Sequence, residues 1–409
     1  MNIKALALLF LVLLLSCSGK EKLDEEPGTL DSYVIVVSFD GFRWDYQDRY
    51  ETPNLDLMET EGVKAKYLQS SFPTKTFPNH YTLATGLYPD HHGIINNSFY
   101  ASELGGIYRI GDTEMVTNPD AYFGEPIWVT AEKQGVKSAS YFWVGSEADI
   151  MGVSPSYWYP YRHDVPYLTR VEKVLEWLRL PLSRRPGLIF LYFDQPDGIA
   201  HRYGPEHEET GEVVSSLDSI LGYLRNEIAE LEYGDRVNLI VLSDHGMGPL
   251  SPERYVNLTE HIEDHWTGSI VGGNPVYLIQ PEEGYADSIT ITLNGIEGLS
   301  AWQKEDIPEH LHYGSSPRFP GIVVLADSLW SIGLNPDPSG YSGGAHGYDN
   351  AFTAMNTIFY AEGPAFKENY SSDPFSNVEV YGIIAEILGL DPVPTDGELE
   401  NVRHILKTE

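Results

Sequence analysis

Val237-Asn238-Leu239-Ile240-Val241-Leu242, followed by Ser243-Asp244-His245-Gly246-Met247, is the stretch on which the reading of this chain turns. The first six residues form an apolar, partly β-branched run that reads as a buried strand. Where it ends, a carboxylate and an imidazole stand side by side, and both are metal ligands at neutral pH. Gly246 then lets the backbone turn sharply. In an open parallel sheet, ligands gather at the carboxyl ends of strands, so the placement matters. An Asp-His pair alone is also an ordinary loop pair or helix cap. Its weight depends on what else the chain puts at strand ends.

Working outward, Tyr33-Val34-Ile35-Val36-Val37-Ser38-Phe39 is continuously apolar and bounded by Asp40-Gly41, as expected of a central parallel strand. Comparable runs lie at 188–193, 322–325 and 357–360. Helical patterns over 53–61, 82–86, 125–134, 165–178, 208–231 and 378–388 alternate with them. This alternation predicts an α/β fold, a doubly wound, mostly parallel central sheet flanked by helices. From about 260 to 342 the pattern changes to Gly, Pro and short alternating stretches such as Ser288-Ile289-Thr290-Ile291-Thr292-Leu293. That segment reads as a small α+β insertion in one domain covering 33–409. With 409 residues, 42% of them hydrophobic, the chain can bury a large core, and α/β domains of this size stay single.

The N-terminus carries a different signal. Lys4 precedes an apolar run over 5–15, too short to span a bilayer and typical of a signal h-region. Leu14-Leu15-Ser16-Cys17 resembles a bacterial lipobox, whose cysteine becomes the acylated first residue of the mature protein. Residues 1–17 therefore read as signal peptide and lipobox, and the polar 18–32 as a tether. Cys17 is the only cysteine, which excludes an intramolecular disulfide and a cysteine-based zinc site. The expectation is an exported bacterial lipoprotein on the periplasmic or cell-surface side, held to the membrane through Cys17 without spanning it.

Sixty acidic against 26 basic residues give a formal charge of −34. Such a surface argues against binding duplex nucleic acid, which needs a basic stripe. An anionic substrate would need local cations, either bound metal or a few Lys and Arg.

Four further stretches carry candidate chemistry. Asp40 ends the first strand, where Asp-Gly is by itself a common turn. Thr76, in Phe72-Pro73-Thr74-Lys75-Thr76-Phe77-Pro78-Asn79-His80, leads into a helix and reads most simply as its N-cap. A helix start is also an anion site, and a hydroxyl there could attack a phosphate if activated. Asp197 and His201, four apart past the strand at 188–193, share one face of a helix and suit one metal. His346 sits between glycines in Gly343-Gly344-Ala345-His346-Gly347. Three aspartates, three histidines and a threonine suit two N/O metal sites, with zinc matching the donor set. Two such ions stabilise both the attacking and the leaving oxygen of a phosphoryl displacement.

Taken in order, Asp40, Lys-Thr-Phe-Pro-Asn-His around Thr76, Pro196 to His201, Ser-Asp-His-Gly-Met and Gly-Ala-His-Gly-Tyr resemble the nucleotide pyrophosphatase/phosphodiesterase family of the alkaline phosphatase superfamily. Thr85-Gly86-Leu87-Tyr88-Pro89, His92-Gly93-Ile94 and Gly124-Glu125-Pro126-Ile127-Trp128 extend the likeness over essentially the whole chain from Tyr33. The resemblance implies an alkaline phosphatase-like fold and two zinc ions. Asp197, His201 and His346 would bind one ion. Asp40, Asp244, His245 and the Thr76 hydroxyl would bind the other. Thr76 would be the nucleophile, forming a covalent intermediate that water hydrolyses to release a nucleoside monophosphate. Asn97 matches the asparagine that donates to a non-bridging phosphate oxygen, with Asn96 as the alternative register. Tyr192 matches an aromatic residue on which a nucleobase stacks, and Phe123 would form the opposite wall. One departure is visible. Where the family usually has Glu-Pro-Asp-x-x-Gly-His, this chain has Gln195 and Ala200, neither of them an expected ligand.

The implied activity is zinc-dependent hydrolysis of nucleotide phosphodiester or pyrophosphate bonds. The alternatives keep the two-metal site with a phospholipid-type phosphodiester or a phosphonoacetate-type substrate, or keep the fold as a non-catalytic binding lipoprotein. A sulfatase is disfavoured, because no cysteine is left to oxidise once Cys17 is the lipid anchor. The expected partner is a small nucleotide or other phosphodiester, and oligomeric state is open.

Overall fold

The apolar runs beginning at Tyr33, Leu188 and Val237 are buried along their whole length. Such continuity is what a strand covered by helices on both faces requires. The computed structural model describes residues 31–407, so the signal peptide, Cys17 and nearly all of the expected tether lie outside the described residues. The strands of the central sheet are Tyr33–Phe39 (β1), Val63–Ala65 (β2), Ser138–Tyr141 (β3), Tyr157–Tyr159 (β4), Leu188–Phe193 (β5), Val237–Leu242 (β6), Phe359–Glu362 (β7) and Tyr370–Ser372 (β8). Their spatial order is β8-β2-β7-β6-β1-β5-β3-β4. Neighbours pair in parallel except at β7, which runs antiparallel to both β6 and β2. The sheet is thus mostly parallel, as its apolar runs predict.

The longer helices are Pro53–Glu61 (α1), Thr76–Thr85 (α2), Ile127–Lys133 (α3), Tyr167–Leu178 (α4), Asp197–Tyr203 (α5), Glu208–Ala229 (α6), Ala286–Asn294 (α7) and Val380–Leu388 (α8). All but α7 pack as two groups, α1, α4 and α5 against α6, and α2, α3 and α8 against one another. In the first group, Asp218 of α6 takes the Asn54 and Leu55 N–H groups at the start of α1, at 3.1 and 2.9 Å. A buried carboxylate there satisfies two of the donors that a helix start leaves free.

Residues 267–326 build a second, smaller layer. Its strands Thr267–Gly273, Val276–Pro281, Ile322–Ala326 and Leu299–Gln303 lie side by side in that order, all antiparallel. The run at 322–325 belongs here, not to the parallel sheet. An apolar run does not by itself say which sheet it joins. Ser288 to Leu293 is helical within α7, although its alternation suggests a strand. Ile289 and Leu293 are buried four residues apart, whereas Ile291 is 74% exposed. A helical face explains that burial. Among the described residues no helix is long and apolar enough to cross a membrane.

Candidate metal centre

The carboxyl ends of β1, β5 and β6 converge, and the acidic residues follow directly. Asp40 N–H donates to Phe193 O and Asp197 N–H donates to Asp40 O, each at 2.9 Å. Gly41 N–H donates to Asp244 Oδ1 at 3.2 Å. Gly41 has φ +72°, and a Cβ there would lie 3.0 Å from Asp197 Cα, so this close approach of two ligand segments needs glycine. Gly246 has no room either: a Cβ would fall 2.0 Å from Ala354 O. The backbone after His245 is pinned there by Gly246 N–H to Met355 O and Met247 N–H to Ala354 O.

Two ligand groups result, Asp40, Asp244 and His245, and Asp197, His201 and His346. In the first, His245 Nε2 lies 3.2 Å from Asp40 Oδ1 and 3.1 Å from Asp244 Oδ2. Thr76 Oγ1 is 3.1 Å from the same nitrogen, which puts the hydroxyl in this group. In the second, Asp197 Oδ1 lies 3.2 Å from His201 Nε2 and 3.6 Å from His346 Nε2. Asp40, Asp244 and His245 are buried, Thr76 is half-buried, and His201 is the exposed member of the second group.

Whether these groups fit a metal can be judged from their hydrogen bonds. The Nδ1 atoms of His245, His201 and His346 each meet a backbone carbonyl, of Gly246, Gly344 and Thr74, at 2.9, 2.8 and 2.9 Å. A carbonyl only accepts, so each Nδ1 carries the proton and each neutral ring turns an Nε2 lone pair inward. Those lone pairs face Asp40 Oδ1, Asp244 Oδ2 and Asp197 Oδ1, three buried oxygens without a hydrogen-bond partner. Lone pairs aimed at unpartnered carboxylate oxygens repel unless a positive charge lies between them. The donor set, carboxylate oxygens and imidazole nitrogens, suits zinc among other divalent cations. The residues fit a cation in each group.

The same shortage of positive charge shows in the titration of the groups. Burial, with Asp244 and Asp197 nearby, pushes the Asp40 carboxyl up to about 7. Burial opposes a proton on His245, but Asp244 and Asp40 outweigh it and lift the imidazole to about 9. Without metal, protons occupy the place of the missing charge. Lys75 next to the site is drawn down to about 8 by burial, and its Nζ donates to Asn274 O at 2.6 Å.

Thr76 is not an N-cap. Lys75 holds the cap position and Thr76 is the first residue of α2, so its hydroxyl is free to meet His245. Thr74 was not visible as a site residue in the sequence, yet its carbonyl orients His346 and its hydroxyl accepts Gly347 N–H at 2.9 Å. Asn97 Oδ1 accepts Phe77 N–H at 3.1 Å, one residue beyond Thr76, whereas Asn96 Oδ1 is turned to its own neighbour's N–H. Of the two asparagines, Asn97 is the one whose side chain bonds to the backbone next to Thr76. Gln195 Oε1 accepts Ile199 N–H at 3.1 Å and serves the start of α5.

A cavity of about 620 Å³ opens beside Asp40 and Thr76, lined by Phe77, Phe142, Tyr161 and Tyr192 among others. Tyr192 is among its lining residues and makes two further contacts. Its hydroxyl donates to Asp40 Oδ2 at 2.5 Å, and its ring stands edge-on to His80 at 5.0 Å. Phe123 is not in the cavity lining; its ring lies under the Arg318 guanidinium, 4.1 Å away. Phe77, Tyr122, Phe142, Trp143 and Tyr161 are aromatic residues of this cavity that the sequence does not single out. Phe77 stands next to Thr76 and could have been found from that adjacency.

Comparison with known proteins places this geometry. Residues 34–349 match the model of the type I phosphodiesterase / nucleotide pyrophosphatase family. Ectonucleotide pyrophosphatase/phosphodiesterase family member 3 of Rattus norvegicus is 34% identical over 404 residues, 96% of this chain and 46% of that protein. Venom phosphodiesterase CdcPDE of Crotalus durissus collilineatus is 36% identical over 392 residues, 93% of this chain and 47% of the venom protein. The chain thus spans about half the length of the curated relatives it matches. Among solved structures, an inactive murine ectonucleotide pyrophosphatase/phosphodiesterase 5 in complex with AMP superposes with a TM-score of 0.87 at 34% identity, covering 92% of this chain and all of that one.

Proposed function

Because the chain belongs to the type I phosphodiesterase / nucleotide pyrophosphatase family, we propose that it hydrolyses nucleotide phosphodiester or pyrophosphate bonds with two zinc ions and a covalent threonine intermediate. The observation that carries this reading is the Thr76 hydroxyl on His245 Nε2, beside two ligand groups with three unpartnered carboxylate oxygens. Asp40, Asp244 and His245 would hold one zinc, and Asp197, His201 and His346 the other. When bound, the ions supply Lewis acidity, lowering the pKa of the Thr76 hydroxyl and stabilising the attacking and leaving oxygens.

The chain's own residues supply the rest. Thr76 Oγ1 loses its proton to solvent and forms the bond to phosphorus, while the P–O bond to the leaving group breaks with its electron pair and the leaving oxygen is protonated by water. Water then attacks the phosphothreonine, the P–Oγ1 bond breaks, and nucleoside monophosphate departs with the hydroxyl restored. Asn97, its Oδ1 engaged by Phe77 N–H, keeps Nδ2 to donate to a non-bridging phosphate oxygen. The start of α2 favours negative charge at the same place. Phe77 and Tyr161 offer aromatic surface to a base in the adjoining cavity. AMP in the murine neighbour supports a nucleotide over a lipid head group.

The deciding experiment measures p-nitrophenol release from the p-nitrophenyl ester of thymidine monophosphate. Thr76→Ala should abolish turnover while the variant keeps its fold and its zinc. Wild-type turnover in that variant would remove the nucleophile.

We further infer lipid anchoring through Cys17, supported by the Leu14-Leu15-Ser16-Cys17 motif. The domain would then follow at about residue 33, at the end of β1 opposite Asp40. That polarity would turn the site away from the anchored end.

A further inference from the structure

Residues 90–97 lead the main chain to Asn97, and residues 313–318 grip them at three places. Ser315 donates to Asp90 Oδ2 through both its N–H and its hydroxyl, the latter at 2.8 Å. Arg318 Nη1 donates to Gly93 O at 2.7 Å. Tyr313 OH donates to Ile95 O at 2.8 Å. These contacts approach Asn97 in steps along one stretch of backbone, and all come from the layer that also carries the strand Ile322–Ala326.

Arg318 is placed with unusual completeness for a cation. It is 5% exposed, and its guanidinium lies over the rings of Phe123 and Phe99 at 4.1 and 5.4 Å. Besides Gly93 O it donates to Ala121 O at 2.6 Å, Asp120 O at 3.0 Å and Glu103 Oε1 at 2.7 Å. A planar fork reaches several acceptors at once, which a lysine ammonium cannot copy. Gly93 is adapted to it: a Cβ there would stand 2.8 Å from Arg318 Nη1 and 2.6 Å from the Phe123 ring. Within the segment Ile94 N–H donates to His92 Nδ1 at 3.2 Å, and at its far end Asn97 Oδ1 accepts Phe77 N–H from α2. Asn97 thus sits between a brace from the small layer and the first turn of α2.

We propose that Arg318 and Tyr313 are positioning residues for Asn97, setting the place of its Nδ2 donor relative to Thr76. The inference rests on the proposed role of Asn97 at the phosphate. A donor of this kind works only over a few tenths of an ångström, and a displacement of about 1 Å can cost as much as a hundredfold in rate.

The test is a double-mutant cycle on kcat and KM with a nitrophenyl nucleotide ester, with zinc per chain measured for every variant. Asn97→Ala alone should lower kcat by about a hundredfold or more. Arg318→Lys should lower kcat by about tenfold, and Tyr313→Phe, the milder change, by about threefold or more, with zinc content and KM little changed. In the Asn97→Ala background neither second substitution should lower kcat further. Equal fold-losses in both backgrounds would make the brace merely structural and overturn the proposal. So would wild-type kcat in Arg318→Lys and Tyr313→Phe. If Asn97→Ala alone kept wild-type kcat, the role of Asn97 would fall, whatever the brace variants did, and the brace with it.

Discussion

The imidazole rings of His245 and His346 lie stacked, with centroids 3.4 Å apart and planes 9° from parallel. Each belongs to a different ligand group, so this contact brings the two candidate metal sites side by side. Their Nδ1 protons go to different carbonyls, of Gly246 and Thr74, so each ring is oriented independently. Removing one imidazole should therefore empty one site and spare the other. His245→Ala and His346→Ala are each expected to fall from about two zinc ions per chain to about one. Turnover should drop by far more than the roughly 10- to 100-fold typical of losing an outer partner of a ligand. Elemental analysis beside steady-state rates checks this. Two retained ions in His245→Ala would contradict the ligand assignment.

The pH dependence of the metal-free protein follows from His245. Its ordinary value is 6.5 and the folded value about 9, raised by the carboxylates against the effect of burial. A raised histidine adds stability that is whole below 6.5 and is lost as pH rises through 9. Asp40, raised from 3.8 to about 7, acts in the same direction over its own range. His346, held well below its ordinary value by burial and the neighbouring His245, opposes them only below 6.5. Lys75, lowered by burial to about 8, opposes them mainly above 8. Between pH 6.5 and 8 the chelated protein should thus lose on the order of 2 kcal/mol. A zinc ion bound at His245 would replace that proton, so the loaded protein should stay nearly flat. Thermal unfolding with EDTA and with zinc should show a gap that widens with pH across this window; a constant gap would count against a cation at His245.

Gly246 is a point where backbone and ligand geometry meet. A Cβ there would lie 2.0 Å from Ala354 O and 2.8 Å from Asn356 O, both main-chain atoms that cannot swing aside. Gly246→Ala must displace the turn that carries His245. We expect a stability loss of roughly 2–4 kcal/mol and loss of the zinc held with Asp40. Chemical denaturation and metal analysis check both. A variant that kept full stability would show that this turn yields easily.

How much of this was legible in the sequence depended on where each residue sits. Asp40, Asp244 and Asp197 follow strands buried on both faces, and such strands announce themselves as unbroken apolar runs. The short outer strands Val63–Ala65, Ser138–Tyr141 and Tyr157–Tyr159 carry no such signal. Ser288 to Leu293 alternates in sequence but packs through Ile289 and Leu293 as a helix, because tertiary contact overrides β-propensity there. Thr76 was visible as a helix-start residue, yet its role depends on His245, 169 positions away. Thr74 meets the His346 loop through its own carbonyl and hydroxyl, Tyr313 and Arg318 bond to backbone carbonyls of a distant segment, and no local pattern encodes such contacts.

Tyr192 separates two readings of one residue. If its ring served only as a wall for a base, Tyr192→Phe would keep the ring and change little. The structure instead gives its hydroxyl to Asp40 Oδ2 at 2.5 Å, while Asp40 Oδ1 faces His245. That hydrogen bond would fix which oxygen is offered to a metal, as an outer partner of a ligand does. Removing it leaves a buried carboxylate oxygen unpaired and the carboxylate free to turn. Tyr192→Phe should therefore weaken zinc binding by about 10- to 100-fold, with a rate deficit that excess zinc restores. KM for the nucleotide ester should move less than the zinc requirement. A variant whose zinc titration matched wild type while its KM rose would return Tyr192 to the base cavity and leave Asp40 without its outer partner.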